Sequence, residues 1–166
     1  MIGLFIVALS IAPNAYAKPI GPDAARCAPG SGRPALLVEV SGFKSRAGTV
    51  RVRVFGGATS SYFDKKQALL RTELAVPRDG IVAICMPVGQ PGIYAVDVRH
   101  DANANGNTDR GDGGGASGNP HVTLFDMLFS RKPDPRTVQV RVGAGTTVVP
   151  VTLTYLQGGS IKPIGN

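Results

Sequence analysis

Short runs of alternating apolar and polar residues constrain this chain more than any other feature of its sequence. In GTVRVRVF, residues 48–55, three valines alternate with Arg51 and Arg53, and RTVQVRV, residues 136–142, repeats the pattern. Because successive side chains of a strand point to opposite faces, this alternation indicates strands with one apolar and one polar face. The chain is therefore expected to consist of strands that share a buried apolar layer.

Seven such segments, rich in β-branched residues, are separated by Gly, Pro and Asp turns. They are residues 34–42, 48–55, 70–76, 80–86, 92–100, 136–142 and 146–155. Strands at this spacing, with almost no helical periodicity, predict an all-β fold: a single antiparallel β-sandwich of about seven strands with a long Asn/Asp/Gly loop. The predicted sandwich domain covers residues 34–156, and a flexible tail follows over residues 157–166. Pro150 predicts an edge strand or a bulge in the last segment.

The first residues have the layout of an export signal. An apolar run over residues 2–11 precedes Pro13 and the small-x-small triplet at 15–17, which predicts a signal peptide over residues 1–17. No Lys or Arg precedes the run. The alternative is a membrane anchor, but the run has about half of the ~20 apolar residues that a membrane-spanning helix needs. We expect a periplasmic or secreted protein with a flexible segment over residues 18–33 and no transmembrane segment after cleavage.

The chain contains two cysteines, Cys27 and Cys85. An even number of cysteines in a chain directed to an oxidising compartment favours a disulfide bond. If the two are paired, the loop that they close contributes about 4 kcal/mol of stability by its chain entropy. The alternative is a buried free thiol at Cys85 and an unpaired Cys27 in the N-terminal segment.

The net charge of +7 is spread along the chain. Arginine is a common outward-facing residue in alternating strands, so we expect Arg51 and Arg53 to form a solvated sheet face, with an anion site as the alternative. Few aromatic residues and no basic run argue against nucleic acid as a partner. Anions of an outer membrane leaflet and acidic glycans stay open as partners.

The segment HDANANGNTDRGD, residues 100–112, concentrates acid and amide side chains in this basic chain. From Asp101 its spacing is D-x-N-x-N-G-x-x-D-x-x-D, which is typical of calcium loops: alternate side chains turn oxygen atoms toward one centre, and the glycine permits a sharp bend. The spacing predicts a calcium site. Its predicted ligands are the side chains of Asp101, Asn103, Asn105, Asp109 and Asp112 and the backbone carbonyl of Asn107.

Two features distinguish this loop from an EF-hand. Asp112 is one methylene shorter than the glutamate usual at position twelve, and the flanks are an alternating strand and a glycine-rich stretch rather than helices. We therefore expect calcium affinity in the weak extracellular range, roughly 10⁻⁴ to 10⁻³ M. The alternative is a turn that needs no metal, because Asn, Asp and Gly are also the commonest turn residues.

PGIYAVDVRHDANANGNTD, residues 91–109, resembles the signature of a secreted bacterial family known only as domain of unknown function number twenty-one forty-one, with the pattern G-x-YA-x-x-x-x-HD-x-N-x-NG-x-x-D. The matching residues are Gly92, Tyr94, Ala95, His100, Asp101, Asn103, Asn105, Gly106 and Asp109. A weaker resemblance extends over about residues 35–155, and the glycine-rich stretch after the signature departs from it. The resemblance implies a secreted, transthyretin-like β-sandwich and no established activity.

Two functions follow from these features. The first is an exported, non-enzymatic β-sandwich with a calcium-binding loop and a binding or structural role in the cell envelope, with an envelope protein or glycan as partner. The alternative is a small metal-dependent hydrolase that uses His100 and neighbouring acids, with His121 and Asp126 folded back toward it. GASG at residues 115–118 is one residue short of a nucleophile elbow, so we name no catalytic residue.

The segment HVTLFDMLF, residues 121–129, is too apolar for a mobile loop. We expect its large side chains to cover a sheet edge, with a partner groove as the alternative. These side chains are Leu124, Phe125, Leu128 and Phe129.

Overall fold

A computed structural model describes residues 17–165, so the predicted signal peptide lies, except for Ala17, outside the described residues. The strands, in chain order, are β1 Pro19–Ile20, β2 Ala35–Ser41, β3 Thr49–Gly56, β4 Leu70–Ala75, β5 Val82–Pro87, β6 Gly92–Asp101, β7 Gly113–Ala116, β8 Val140–Val142, β9 Thr146–Thr152, β10 Thr154–Gln157 and β11 Ser160–Pro163. Two short α-helices, α1 Leu124–Leu128 and α2 Pro135–Val138, lie between β7 and β8. Short 3-10 helices cover Ala24–Cys27 and Thr59–Ser61.

The strands form two sheets, which confirms the predicted all-β sandwich architecture. One sheet has the order β1-β5-β2-β9; the other has the order β11-β10-β7-β6-β3-β4, and β8 pairs with β6. Most pairings are antiparallel as expected, but β1 with β5 and β2 with β9 are parallel. Parallel pairing needs no hairpin. β9 can pair in parallel with β2 because the chain reaches β9 from β8, which belongs to the other sheet, and not through a tight turn after β2.

The core lies between the sheets and is rich in valine. The alternation predicted for residues 48–55 is confirmed, since Val50, Val52 and Val54 of β3 are fully buried while Arg51 and Arg53 lie on the other face. From the smaller sheet, Leu36, Val38, Val40, Val82, Ile84 and Met86 pack into the same cluster. Pro150 lies on β9, an edge strand, as its missing N–H donor predicts.

The outer face of the smaller sheet is covered by the N-terminal segment. Cys27 is disulfide-bonded to Cys85 at 2.04 Å, which confirms the predicted pair, and both side chains are buried with Leu37. In addition β1 pairs with β5. The segment 18–33, which the sequence predicts to be flexible, is thus held by a covalent bond and by strand pairing.

The glycine-rich stretch after the candidate loop forms β7, although the sequence indicates a loop there. A Cβ atom on Gly113 would lie 2.3 Å from ring carbon Cε1 of Tyr155, and one on Gly115 would lie 2.7 Å from Val151 Cγ1. Glycine normally weakens a strand, but it is required where another group approaches the backbone this closely. These glycines therefore make room for side chains of β9 and β10 against the strand.

The C-terminal residues also differ from the expected flexible tail. β10 and β11 pair in an antiparallel hairpin with Gly158 and Gly159 in its two-residue turn. The hairpin extends the larger sheet at its edge. Residues 157–163 are therefore paired β-structure rather than a free tail.

The prediction that residues 124–129 cover a sheet edge is wrong for most of these side chains. Phe125, Leu128 and Phe129 are 52%, 70% and 61% exposed. A capping box between Thr123 and Asp126 fixes α1 as a single short helix. Phe125 packs on Phe129, with 4.2 Å between their ring centroids, instead of on the sheet. No helix within residues 17–165 has the length and apolar character to span a membrane.

We predict that removing the disulfide, by the double substitution Cys27→Ser and Cys85→Ser, lowers the free energy of unfolding by about 4 kcal/mol, since a bridge between residues 58 positions apart restricts the unfolded chain. Guanidinium denaturation of the oxidised protein and of the double variant measures the difference. Equal denaturation midpoints with equal slopes would contradict the prediction.

Candidate functional site

The candidate calcium loop connects two neighbouring strands of the larger sheet. β6 ends at Asp101 and β7 begins at Gly113, so the loop is a long hairpin connection. His100 and Asp101 point to opposite faces of β6, as alternation requires. His100 belongs to the core face, and Asp101 shares the outer face with Arg99.

The first predicted ligand, Asp101, is 1% exposed and accepts three hydrogen bonds. Its Oδ1 accepts from the backbone N–H of Asn105 at 3.2 Å, and its Oδ2 accepts from the backbone N–H of Gly106 at 2.9 Å. Arg99 Nη2 donates to Oδ2 at 2.5 Å. This carboxylate therefore bends the loop back over the end of β6, and Gly106 has the positive φ, 78°, that the spacing predicts at position six.

Asp112, the last predicted ligand, is 9% exposed and closes the loop from the other end. Its Oδ1 accepts from the backbone N–H of Ala102 at 3.1 Å, and its Oδ2 accepts from that of Asp109 at 3.3 Å. Because the bond from Ala102 joins the first part of the loop to its last residue, the two ends are fixed beside each other.

Residues from the middle of the loop donate hydrogen bonds to the carboxylate of Asp109. Its Oδ2 accepts from Asn103 Nδ2 at 2.9 Å and from Asn105 Nδ2 at 3.1 Å, while its Oδ1 accepts from the backbone N–H of Gly111 at 2.7 Å. These hydrogen bonds, with that from Gly111 the strongest, lower the pKa of the Asp109 carboxyl from its ordinary value. Asp109 is thus held in its charged form.

The structure brings these five side chains into one hydrogen-bonded loop, and Asn107 joins it through its backbone N–H, which donates to Asn105 Oδ1 at 2.7 Å. The carboxylates are met by N–H donors. No three His, Cys, Asp or Glu side chains within residues 17–165 converge as a metal-binding group. The loop therefore offers a cation amide oxygens and separate carboxylates rather than a ready carboxylate cage.

His100 is fully buried and both of its ring nitrogens are engaged. Nε2 lies 2.8 Å from the carbonyl oxygen of Ala47, which only accepts, so Nε2 carries a proton and donates. Nδ1 then accepts from the hydroxyl of Tyr155 at 2.7 Å, and that hydroxyl accepts from the backbone N–H of Lys44 at 3.2 Å. The imidazole of His100 therefore links its own strand β6 to Ala47 and to Tyr155, and neither of its nitrogens is free to contact a substrate.

The other residues of the hydrolase interpretation have separate environments. His121 is exposed before α1, and the Asp126 carboxylate accepts from the backbone N–H and the hydroxyl of Thr123. Asp126 therefore serves as a capping residue of α1. Within the described part of the chain, the hydrogen bonds of His100 go to Tyr155 and Ala47, and neither His121 nor Asp126 forms one with it.

A cavity of about 320 Å³ adjoins the loop on the outer face of the larger sheet. The sequence indicates an anion site at Arg51 and Arg53 only as the alternative to a solvated sheet face, and it does not indicate the other lining residues. We call this cavity the basic cavity; it is lined by Arg51, Arg53, Lys65, Arg71, Arg99, Gly106, Asn107 and Thr108. Arg99 connects it to the loop, because its Nη1 donates to Thr108 Oγ1 at 3.1 Å while its Nη2 bonds to Asp101. In the sequence, the alternation of Arg51 and Arg53 with valines is the pattern that indicates this cavity.

We predict that Tyr155→Phe lowers the free energy of unfolding by about 1–3 kcal/mol, because it leaves the buried Nδ1 of His100 without its donor. The matched control is Tyr94→Phe, whose hydroxyl donates to the carbonyl of Gln90 in an exposed turn and whose loss should cost about 0.5–1.5 kcal/mol. Urea denaturation of both variants measures the two losses. A loss for Tyr155→Phe no larger than that for the control would contradict the inferred role of the hydroxyl.

Comparison with known proteins supplies a family and no activity. Neither the curated proteins nor the solved structures include a significant match to the sequence. A family model described as "Uncharacterized protein conserved in bacteria (DUF2141)" matches residues 38–149, a range that runs from β2 to β9 and includes the candidate loop and the basic cavity. The chain therefore belongs to this bacterial family of uncharacterized proteins.

Proposed function

We propose that the protein is an exported, non-enzymatic β-sandwich module that binds calcium at residues 101–112 and has a binding or structural role in the cell envelope. One observation carries the proposal: the side chains at positions one, three, five, nine and twelve of the calcium-loop spacing all form hydrogen bonds within one folded loop. A turn without a ligand has no need to keep all five positions in register.

The chemistry of the loop suits a hard cation. Calcium takes six to eight oxygen ligands, and carboxylate and amide oxygens are among those it prefers. Asn103 and Asn105 turn their amides toward Asp109, and rotation about χ2 exchanges the nitrogen of an amide for its oxygen. Asp101, Asp109 and Asp112 supply three negative charges, only one of which, that of Asp101, is paired with an arginine in the structure.

Export is supported by two independent features. The Cys27–Cys85 disulfide is of a kind that persists in oxidising compartments, and the first seventeen residues have the layout of a signal peptide. A periplasmic or secreted protein meets calcium at concentrations that match a weak site. An envelope protein or a glycan is the partner class that we propose for such a module.

We predict that 10 mM calcium stabilises the protein by about 1.4–2.7 kcal/mol relative to EDTA at equal ionic strength, because a ligand selective for the folded state with a Kd of roughly 10⁻⁴ to 10⁻³ M must do so. Thermal melts in the two conditions measure the shift. An unchanged melting temperature would refute calcium binding.

The same melts on Asp101→Asn test the site. This variant keeps one acceptor oxygen for the backbone N–H groups of the loop but loses the second oxygen and the charge, so the shift caused by calcium should vanish whatever happens to the melting temperature itself. Asp134→Asn is the matched control, because Asp134 pairs with Arg136 on the surface outside the loop. A calcium shift retained in Asp101→Asn, or lost equally in Asp134→Asn, would place the cation elsewhere.

A further inference from the structure

We propose that the basic cavity binds a doubly charged tetrahedral oxyanion, either phosphate itself or a phosphate monoester. The cavity adjoins the candidate calcium loop through Asn107 and through the Arg99–Asp101 pair, and the proposed anion needs no cation to bind there. This anion site is formed by side chains on the outer face of β3, β4 and β6 and by the adjoining residues of the loop.

Strand register places like charges directly opposite each other in this cavity. Arg51 of β3 lies opposite Arg99 of β6, and Arg53 lies opposite Arg71 of β4. Like charges in opposed positions of neighbouring strands destabilise a sheet. An anion bound among these side chains is attracted to each of them and so offsets their mutual repulsion.

Within residues 17–165, Arg51 and Lys65 are the cations of the cavity without a counterion, and Arg51 is the one on the central strand β3. Within residues 17–165 the ion pairs of the cavity are Arg53 with Asp97, Arg71 with Glu73 and Arg99 with Asp101. Glu73 lies opposite Arg51, but its carboxylate accepts from Arg71 Nη2 at 2.6 Å and from Thr49 Oγ1 at 3.0 Å instead. The guanidinium of Arg51 is therefore free to serve a ligand.

Two buried N–H groups of the cavity also lack a partner. The Nε atoms of Arg51 and Arg99 are buried, and no acceptor within the described part of the chain hydrogen-bonds to either. A buried donor left unpaired is costly. Burial lowers the pKa of the Arg51 guanidinium, and the charge of Arg99 lowers it further. These observations favour the anion site over the solvated face.

The balance of charge selects a dianion. Five cationic side chains line the cavity, and three carboxylates are paired with them, which leaves an excess of two positive charges. Guanidinium groups match phosphate oxygens with paired N–H donors. A monocarboxylate would leave one of these positive charges unmatched. A volume of about 320 Å³ admits a phosphate group with several water molecules or a small ester substituent.

The test is calorimetric titration of the full mature chain with inorganic phosphate, with EDTA present so that calcium cannot bridge protein and ligand, and with chloride holding ionic strength constant. We expect saturable binding, and Arg51→Gln should weaken it at least about tenfold, because it removes an unpaired, charged donor. Arg51→Lys keeps the charge without the planar fork and should weaken it by a smaller factor.

Arg141→Gln is the matched control, since Arg141 is exposed on β8 outside the cavity and the substitution changes the net charge equally. It should change phosphate affinity less than about twofold. Arg51→Gln removes an unpaired charge, so the fold should persist, which a thermal melt verifies. Absence of saturable phosphate binding to the wild type, or equal weakening by the two glutamine variants, would overturn the proposal.

Glycerol phosphate identifies the source of the anion, and competition by nitrate and by sulfate tests the selection of a dianion. Glycerol phosphate binding more tightly than inorganic phosphate indicates a monoester group on a larger molecule, whereas the reverse order indicates the free ion; both results support the site. Nitrate, a planar monoanion, should not compete with phosphate at equal ionic strength. Competition by nitrate as strong as that by sulfate would contradict selection of a dianion.

Discussion

The antiparallel pairing of β3 with β6 is the constraint on which the sites of this molecule depend. Its register joins eight residue pairs, from Thr49 with Asp101 to Gly56 with Tyr94. Because side chains alternate between faces, this register puts His100 into the core and Arg99 and Asp101 on the outer face. A slip by one residue would exchange the faces, bury the arginines and expose the valines, so burial of the valine core enforces the geometry of both the loop and the basic cavity.

Much of the fold follows from local sequence pattern. The alternating runs locate the long strands, Pro150 marks an edge, and the export layout with two cysteines anticipates the disulfide. The glycine-rich strand β7 does not follow, because its stability comes from the Tyr155 ring packed over its backbone, a contact between residues far apart in sequence. The exposure of the α1 side chains does not follow from the sequence either, because an apolar run indicates burial. Here a capping box fixes the helix locally, and Phe125 packs on Phe129 rather than on the sheet.

The candidate calcium loop and the basic cavity differ in how much of each can be predicted from the sequence. The loop is encoded in twelve consecutive residues, so its spacing is enough to predict which side chains meet. The basic cavity is assembled from β3, β4, β6 and the segment around Lys65, and its members become neighbours only through strand register. Alternation shows that Arg51 faces outward, but whether Glu73 pairs with Arg51 or with Arg71 depends on side-chain contacts that alternation does not specify.

The bare backbone of β7 has a consequence for how the molecule transmits a local change. A strand of three glycines and an alanine has almost no side chains with which to hold its alignment, so its register is set by what lies at its ends and on its face. One end is the loop, fixed by Asp112 to Ala102 and Asp109, and the next strand along the sheet is β10 of the C-terminal hairpin. Order in the loop therefore becomes order in β10 and β11, and the amide hydrogens of this edge report on events in a loop that ends at Asp112, far from Thr154 in the chain.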